Sequence, residues 1–85
     1  MAEQVRLGFV GCGGIAGAHL EGYKRLIAAG YDRFAITAVC DVNEEAAGAF
    51  AARVEEITGE LPVVFATADE MAEAGAADAA DICLP

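Results

Sequence analysis

The run from Val5 to His19 reads Val-Arg-Leu-Gly-Phe-Val-Gly-Cys-Gly-Gly-Ile-Ala-Gly-Ala-His, and it restricts the fold more than any other stretch of the chain. Val5 to Val10 is nearly all apolar, as in a parallel strand covered on both faces. Glycines then force a sharp turn, after which apolar residues return at helical spacing. Gly11, Gly13 and Ala16 stand as G-x-G-x-x-A, the spacing that seats the pyrophosphate of a dinucleotide. Gly11 then permits the tight turn, Gly13 lets the backbone approach the pyrophosphate, and Ala16 permits close contact between helix and strand. The N–H groups of Gly14 and Ile15 fall at the positive end of the helix dipole, which favours phosphate. A glycine pattern alone also fits a tight turn that binds nothing, so its context decides.

That context is a regular alternation. A first helix is expected from Gly14 to about Ala29. Ala16, Leu20, Tyr23 and Ile27 share one face with Leu26 beside it, and Gly30 stands as the C′ cap. Phe34 to Cys40 reads as a second buried strand. Asn43 can cap a second helix, with Glu44 and Glu45 in its first turn, an apolar stripe of Ala47, Phe50, Ala51, Val54 and Ile57, and Gly59 at its end. Leu61 to Ala66 reads as a short third strand entered through Pro62. Thr67-Ala68-Asp69-Glu70 has the capping-box form for a short helix through about Ala74. Ala79 to Leu84 reads as the fourth strand, in which Asp81 has no evident role. The order β-α-β-α-β-α-β implies an α/β, Rossmann-like, doubly wound parallel sheet with right-handed crossovers. Strand order 3-2-1-4 is expected, in a sheet still incomplete at strand 4. The ligand crevice then lies between the ends of strands 1 and 4.

Composition narrows the partners. The 85 residues include 5 basic and 14 acidic side chains, a net charge of -9, with no cluster of Lys or Arg. Nucleic acid and anionic membrane surfaces are therefore poor partners. No apolar run is long enough to cross a bilayer, and Met-Ala-Glu-Gln lacks the features of a signal peptide, so a soluble cytoplasmic protein is expected. Cys12, Cys40 and Cys83 are odd in number and lack C-x-x-C spacing, which argues against a disulfide framework or a zinc ribbon. They are read as small buried hydrophobes, and no metal site is expected. His19, on the border of the apolar face of the first helix, is read as structural.

Asp41 completes the pattern. At the end of strand 2 its carboxylate can accept hydrogen bonds from the adenosine ribose hydroxyls, and its charge repels a 2′-phosphate, so NAD is favoured over NADP. The alternative role, capping the second helix, is compatible with the first.

Three stretches carry a resemblance: Val5 to Leu20, then Ala-Val-Cys-Asp-Val-Asn, then Asp-Ala-Ala-Asp-Ile-Cys-Leu-Pro. Together they resemble the Gfo/Idh/MocA family, the relatives of glucose–fructose oxidoreductase and inositol dehydrogenase, across essentially the whole chain. The resemblance implies an NAD(P)-dependent oxidoreductase that passes hydride between a secondary alcohol of a sugar, cyclitol or similar polyol and the nicotinamide. It implies that Gly11, Gly13, Gly14 and Ile15 hold the pyrophosphate, Asp41 the ribose, and that Leu84 and Pro85 line the cofactor. Leu84 stands where the family often has threonine. The family's catalytic lysine, in a Glu-Lys-Pro motif beyond the fourth strand, and its second α/β domain, which binds substrate, have no counterpart here. Residues 1–85 are therefore expected to be the N-terminal part of a dinucleotide-binding domain, with no catalytic residue among them, from an enzyme expected to be a homo-oligomer at full length.

Two other readings stand beside it. A free-standing, non-catalytic nucleotide-binding module would also explain the absent catalytic residues. A methyltransferase using S-adenosylmethionine also has a glycine turn and an acidic residue after strand 2, but usually carries an acid just before the glycines, where this chain has Phe9 and Val10.

Overall fold

The computed structural model describes residues 4–84, so Pro85, expected to line the cofactor, lies outside the described residues. Strands and helices alternate without exception: β1 (Val5–Val10), α1 (Gly14–Ala28), β2 (Phe34–Cys40), α2 (Glu44–Thr58), β3 (Val63–Phe65), α3 (Ala68–Glu73) and β4 (Ala79–Ile82). All strand pairs are parallel, and the sheet runs β3-β2-β1-β4. This is the expected Rossmann-like order, with the reversal falling between β1 and β4.

Side-chain alternation along β1 assigns the two faces of the sheet. Phe9 is fully buried and meets Tyr23 of α1 edge-on at 5.7 Å and Phe50 of α2 at 4.8 Å between ring centroids. Leu7, Ala16, Leu20, Val39, Ala47, Ala51 and Val54 close the same core. The small residues Ala16, Ala47 and Ala51 let both helices lie close to the strands. Gly8 faces the other way, where a side chain could not fit: an added Cβ would lie 2.8 Å from the sulfur of Met71 on α3. The cover expected on both faces of β1 is thus real over Leu7, Gly8 and Phe9, whereas Val5 and Arg6 are exposed.

The helix signals work as their chemistry predicts. Asn43 Oδ1 accepts from the Ala46 N–H at 3.1 Å, and α2 ends at Gly59, whose φ is 84°. Thr67 Oγ1 accepts from the Glu70 N–H at 3.1 Å and caps α3. The first helix stops one residue earlier than expected, with Ala29 as its cap and Gly30 next at a φ of 89°; α3 likewise ends at Glu73, with Ala74 capping.

Two strand limits are corrected. Expected from Leu61 to Ala66, β3 pairs only over the three residues Val63–Phe65, against Ala38, Val39 and Cys40: it stops level with the end of β2, and Pro62, which has no N–H to donate, stands before its start. Expected to reach Leu84, β4 ends at Ile82. The Cys83 N–H still donates to the Val10 carbonyl at 2.7 Å, but β1 turns away at Gly11 and leaves Leu84 no strand to pair with among the described residues. At the opposite end Arg6 fastens β4 to β1. Its backbone N–H donates to Asp78 Oδ2 at 2.9 Å, its guanidinium Nη2 to Asp78 Oδ1 at 2.9 Å, and Nη1 to the Gly75 carbonyl at 2.8 Å.

Candidate functional site

The register aligns Val10 with Cys40 on one side and with Ile82 on the other, so three strands end level. The glycine turn rises from the middle of that row. Gly11 is required there by the protein itself. Its φ of 91° is costly for any residue with a Cβ, and an added Cβ would lie 2.8 Å from the Cys83 carbonyl oxygen. Its N–H donates to the Cys40 carbonyl at 2.9 Å, which ties the turn to β2.

Gly13 and Gly14 differ from Gly11. Both have negative or ordinary backbone angles, and an added Cβ at either would meet nothing within 4 Å. Neither packing nor conformation of the described residues demands glycine at these two positions. Gly13 is the N-cap of α1, no side chain caps the helix, and its first turn holds no acidic residue. The first intrahelical bond runs from the Gly17 N–H to the Gly13 carbonyl at 3.1 Å. The N–H groups of Gly14, Ile15 and Ala16 therefore have no acceptor within the helix. Ala16 is fully buried under the turn, while Ile15 is half exposed. Leu84 is exposed beside the turn, with its Cδ2 close to the Cβ that Gly11 lacks.

Asp41 is at the end of β2, as expected, and performs a task that its sequence position did not announce. Its Oδ2 accepts from the Cys12 N–H at 2.9 Å, and its Oδ1 accepts from the Asn43 N–H at 2.9 Å. One carboxylate thus braces both the glycine turn and the start of α2. The N–H donors of Asn43 and then Cys12 hold the carboxyl below its ordinary value, so it is charged at neutral pH. A carboxylate offers about four lone-pair directions, so two remain for a ligand. Val42, the next residue, is almost wholly exposed.

A second cluster gathers around Asp81, the residue without an evident role in the sequence. It pairs with Phe9 in the register and so faces α1. His19 Nδ1 lies 2.8 Å from its Oδ1 and 2.9 Å from its Oδ2. The Tyr23 hydroxyl donates to Oδ2 at 2.9 Å, and the Cys83 thiol donates to Oδ1 at 3.2 Å. Burial pushes the Asp81 carboxyl up, but the hydrogen bonds from His19, Cys83 and Tyr23 together outweigh it and hold the carboxyl below its ordinary value. The same burial, reinforced by the charge of Asp81, pushes the Cys83 thiol up to about 11 and the Tyr23 hydroxyl up to about 12. Cys83 is two residues from Asp81, but His19 and Tyr23 lie 62 and 58 residues away, beyond the reach of any local pattern.

Cys12 and Cys40 are buried core residues, as expected, and burial above all pushes the Cys12 thiol up to about 12. Two concave regions lie at the other end of the sheet, around Tyr31 and Phe34, and neither includes the glycine turn.

No family model matches the chain, and no curated protein does. Two solved structures resemble it closely in fold. The WlbA dehydrogenase of Bordetella pertussis, in complex with NADH and UDP-GlcNAcA, superimposes with a TM-score of 0.72 at 30% identity, over 98% of this chain and 23% of that one. The WlbA dehydrogenase of Chromobacterium violaceum, also in complex with NADH and UDP-GlcNAcA, superimposes with a TM-score of 0.72 at 25% identity, over 100% of this chain and 22% of that one. The chain thus shares its Rossmann-like fold with two NADH-bound dehydrogenases and spans less than a quarter of their length.

Proposed function

We propose that this chain is the dinucleotide-binding part of an NAD-dependent oxidoreductase of the Gfo/Idh/MocA type. One observation carries the reading: Gly13 and Gly14 leave open space above N–H groups that have no acceptor among the described residues, although nothing in those residues requires glycine at either position. A phosphate approaching along the axis of α1 meets those N–H groups and the positive end of the helix, and any side chain at Gly13 would stand in its path. The sequence resemblance and the two NADH-bound neighbours support the same assignment.

In this reading Gly13, Gly14, Ile15 and Ala16 hold the pyrophosphate, and Gly11 shapes the turn beneath it. Asp41 uses its free lone pairs on the adenosine ribose hydroxyls. Its charge disfavours a 2′-phosphate, so NAD is preferred to NADP. Leu84 packs beside the cofactor at the switch point, and Pro85 is assigned to the same wall. Bound nicotinamide supplies the hydride acceptor. The substrate is a secondary alcohol of a sugar or related polyol, a class to which the sugar nucleotide held by both neighbours adds support. No proton-moving base is assigned among residues 1–85.

Calorimetric titration with NADH and NADPH tests the site. NADH is expected to bind with 1:1 stoichiometry and more tightly than NADPH. Asp41→Ala is expected to lower NADH affinity roughly tenfold, about 1.4 kcal/mol, and to narrow the preference over NADPH. Failure of the folded protein to bind NADH would sink the reading, and unchanged affinity in Asp41→Ala would remove that residue from the site.

A further inference from the structure

We propose that His19, Asp81 and Cys83 form a site for a thiophilic divalent cation such as Zn2+, behind the glycine turn and separate from the groups assigned to the dinucleotide. Asp81 and Cys83 stand two residues apart at the end of β4, so their side chains leave the same face. His19 descends onto them from α1. The three ligand atoms form a triangle: His19 Nδ1 to Asp81 Oδ1 at 2.8 Å, Asp81 Oδ1 to Cys83 Sγ at 3.2 Å, and Cys83 Sγ to His19 Nδ1 at 3.4 Å. With one ligand atom taken from each residue, the three lie within 4.8 Å of one another.

That triangle is close to one face of a zinc tetrahedron. Bonds of about 2.0–2.1 Å to nitrogen and oxygen and about 2.3 Å to sulfur put ligand atoms roughly 3.3–3.6 Å apart. The sulfur edges need little change, and the His19–Asp81 edge opens by about 0.5 Å to admit the ion. A shift of that size is available to His19, whose side chain is 45% exposed, against 13% for Asp81. The exposed side also gives the ion an entry path and leaves a fourth position for water. Nitrogen, oxygen and sulfur in one set select zinc-like ions over Mg2+ or Ca2+, which prefer oxygen alone.

The surroundings supply what such a site needs. Tyr23 donates to the second oxygen of Asp81 and orients the carboxylate from outside the ligand set. The negative charge of Asp81 is largely shielded from water, and among the described residues its ion-pair partner is His19, when that ring is protonated; a bound cation takes over that role while His19 joins it as a neutral ligand. On binding, the Cys83 thiol loses its proton to solvent as the metal–sulfur bond forms, and His19 binds through Nδ1 with its ring proton on Nε2. The ion then joins α1 to β4 directly under the turn, since the Cys83 carbonyl is the group that an added Cβ on Gly11 would strike.

Co2+ titration of the metal-stripped protein tests the proposal without any nucleotide, so its outcome is independent of whether NADH binds. One equivalent of Co2+ is expected to raise a thiolate-to-cobalt charge-transfer band and the intense visible bands of a four-coordinate ion. Cys83→Ser should abolish the charge-transfer band, and His19→Gln, at an exposed position, should weaken Co2+ binding at least tenfold. Cys40→Ala, which lies outside the group, should leave both unchanged. Absence of the charge-transfer band in folded protein, its survival in Cys83→Ser, or undiminished affinity in His19→Gln overturns the site. If Cys83→Ser fails to fold by circular dichroism, the His19→Gln titration decides alone.

Discussion

Three glycines of one turn answer to different demands. Gly11 is fixed by the protein: its φ is 91°, and a Cβ would approach the Cys83 carbonyl to 2.8 Å. Gly11→Ala is therefore expected to destabilise the fold by at least about 1–2 kcal/mol from the backbone alone, read as a lower denaturant midpoint with an unchanged slope. At Gly13 φ is -88° and an added Cβ meets nothing within 4 Å. Gly13→Ala is expected to cost no more than about 1 kcal/mol, the N-cap preference for glycine over alanine, while clearly weakening NADH binding. The two variants separate folding from recognition within three residues. A Gly13→Ala protein that binds NADH as well as the parent would show that the phosphate does not approach there. The sequence motif names these glycines together and cannot tell them apart. Their difference arises from Cys83, which reaches the turn only after the chain has crossed the sheet three times.

At the scale of elements, local chemistry accounts for most of what the structure shows. The stripe from Ala47 to Ile57 faces the core, and Asn43 caps α2. Asn43→Ala leaves the Ala46 N–H without its acceptor and is expected to cost about 1 kcal/mol, measured by thermal or denaturant unfolding. The backbone N–H that holds Asp41 is untouched by that change, so NADH affinity measured on folded protein should stay near the parent value. Elements were readable where periodicity and caps act within a few residues. Strand ends were not, because a strand extends no further than its neighbour: β3 stops level with β2 at Cys40, and β4 stops where β1 turns away. Thr37 shows the same dependence on context. The register passes from Leu7–Ile36 to Gly8–Ala38 and skips it, and its hydroxyl donates to the Ala76 carbonyl at 2.7 Å. The candidate site divides likewise. Its glycines and Asp41 follow from spacing along the chain, whereas the brace from Asp41 to Cys12 and the cluster at Asp81 join residues that only folding brings together.

Across the whole molecule, two exposed or half-exposed aspartates hold together segments remote in sequence. Asp41 ties the glycine turn to β2 and α2, and Asp78 ties β4 to β1 through Arg6. Both carboxyls are held below their ordinary values, Asp41 by the N–H groups of Asn43 and Cys12, Asp78 by its hydrogen bonds with Arg6. A group whose folded value is depressed binds fewer protons folded than unfolded, so its contribution is complete above the unfolded value, about 3.9, and is lost as pH falls through the folded one. Acid therefore loosens the turn and the β1–β4 seam in the same window. The net charge of -9 acts in the opposite direction, because protonating any carboxylate relieves repulsion, whether or not that carboxylate has a partner. The partnered groups win where their removal flattens the acid limb. The denaturant midpoint is expected to hold steady from pH 7 to about pH 5 and to fall below about pH 4. Asp78→Asn should start lower at neutral pH and fall less steeply in acid, since it has no depressed carboxyl left to protonate at the seam. Parallel acid limbs for Asp78→Asn and the parent would show that charge repulsion, not the Arg6 pairing, governs how the sheet responds to acid.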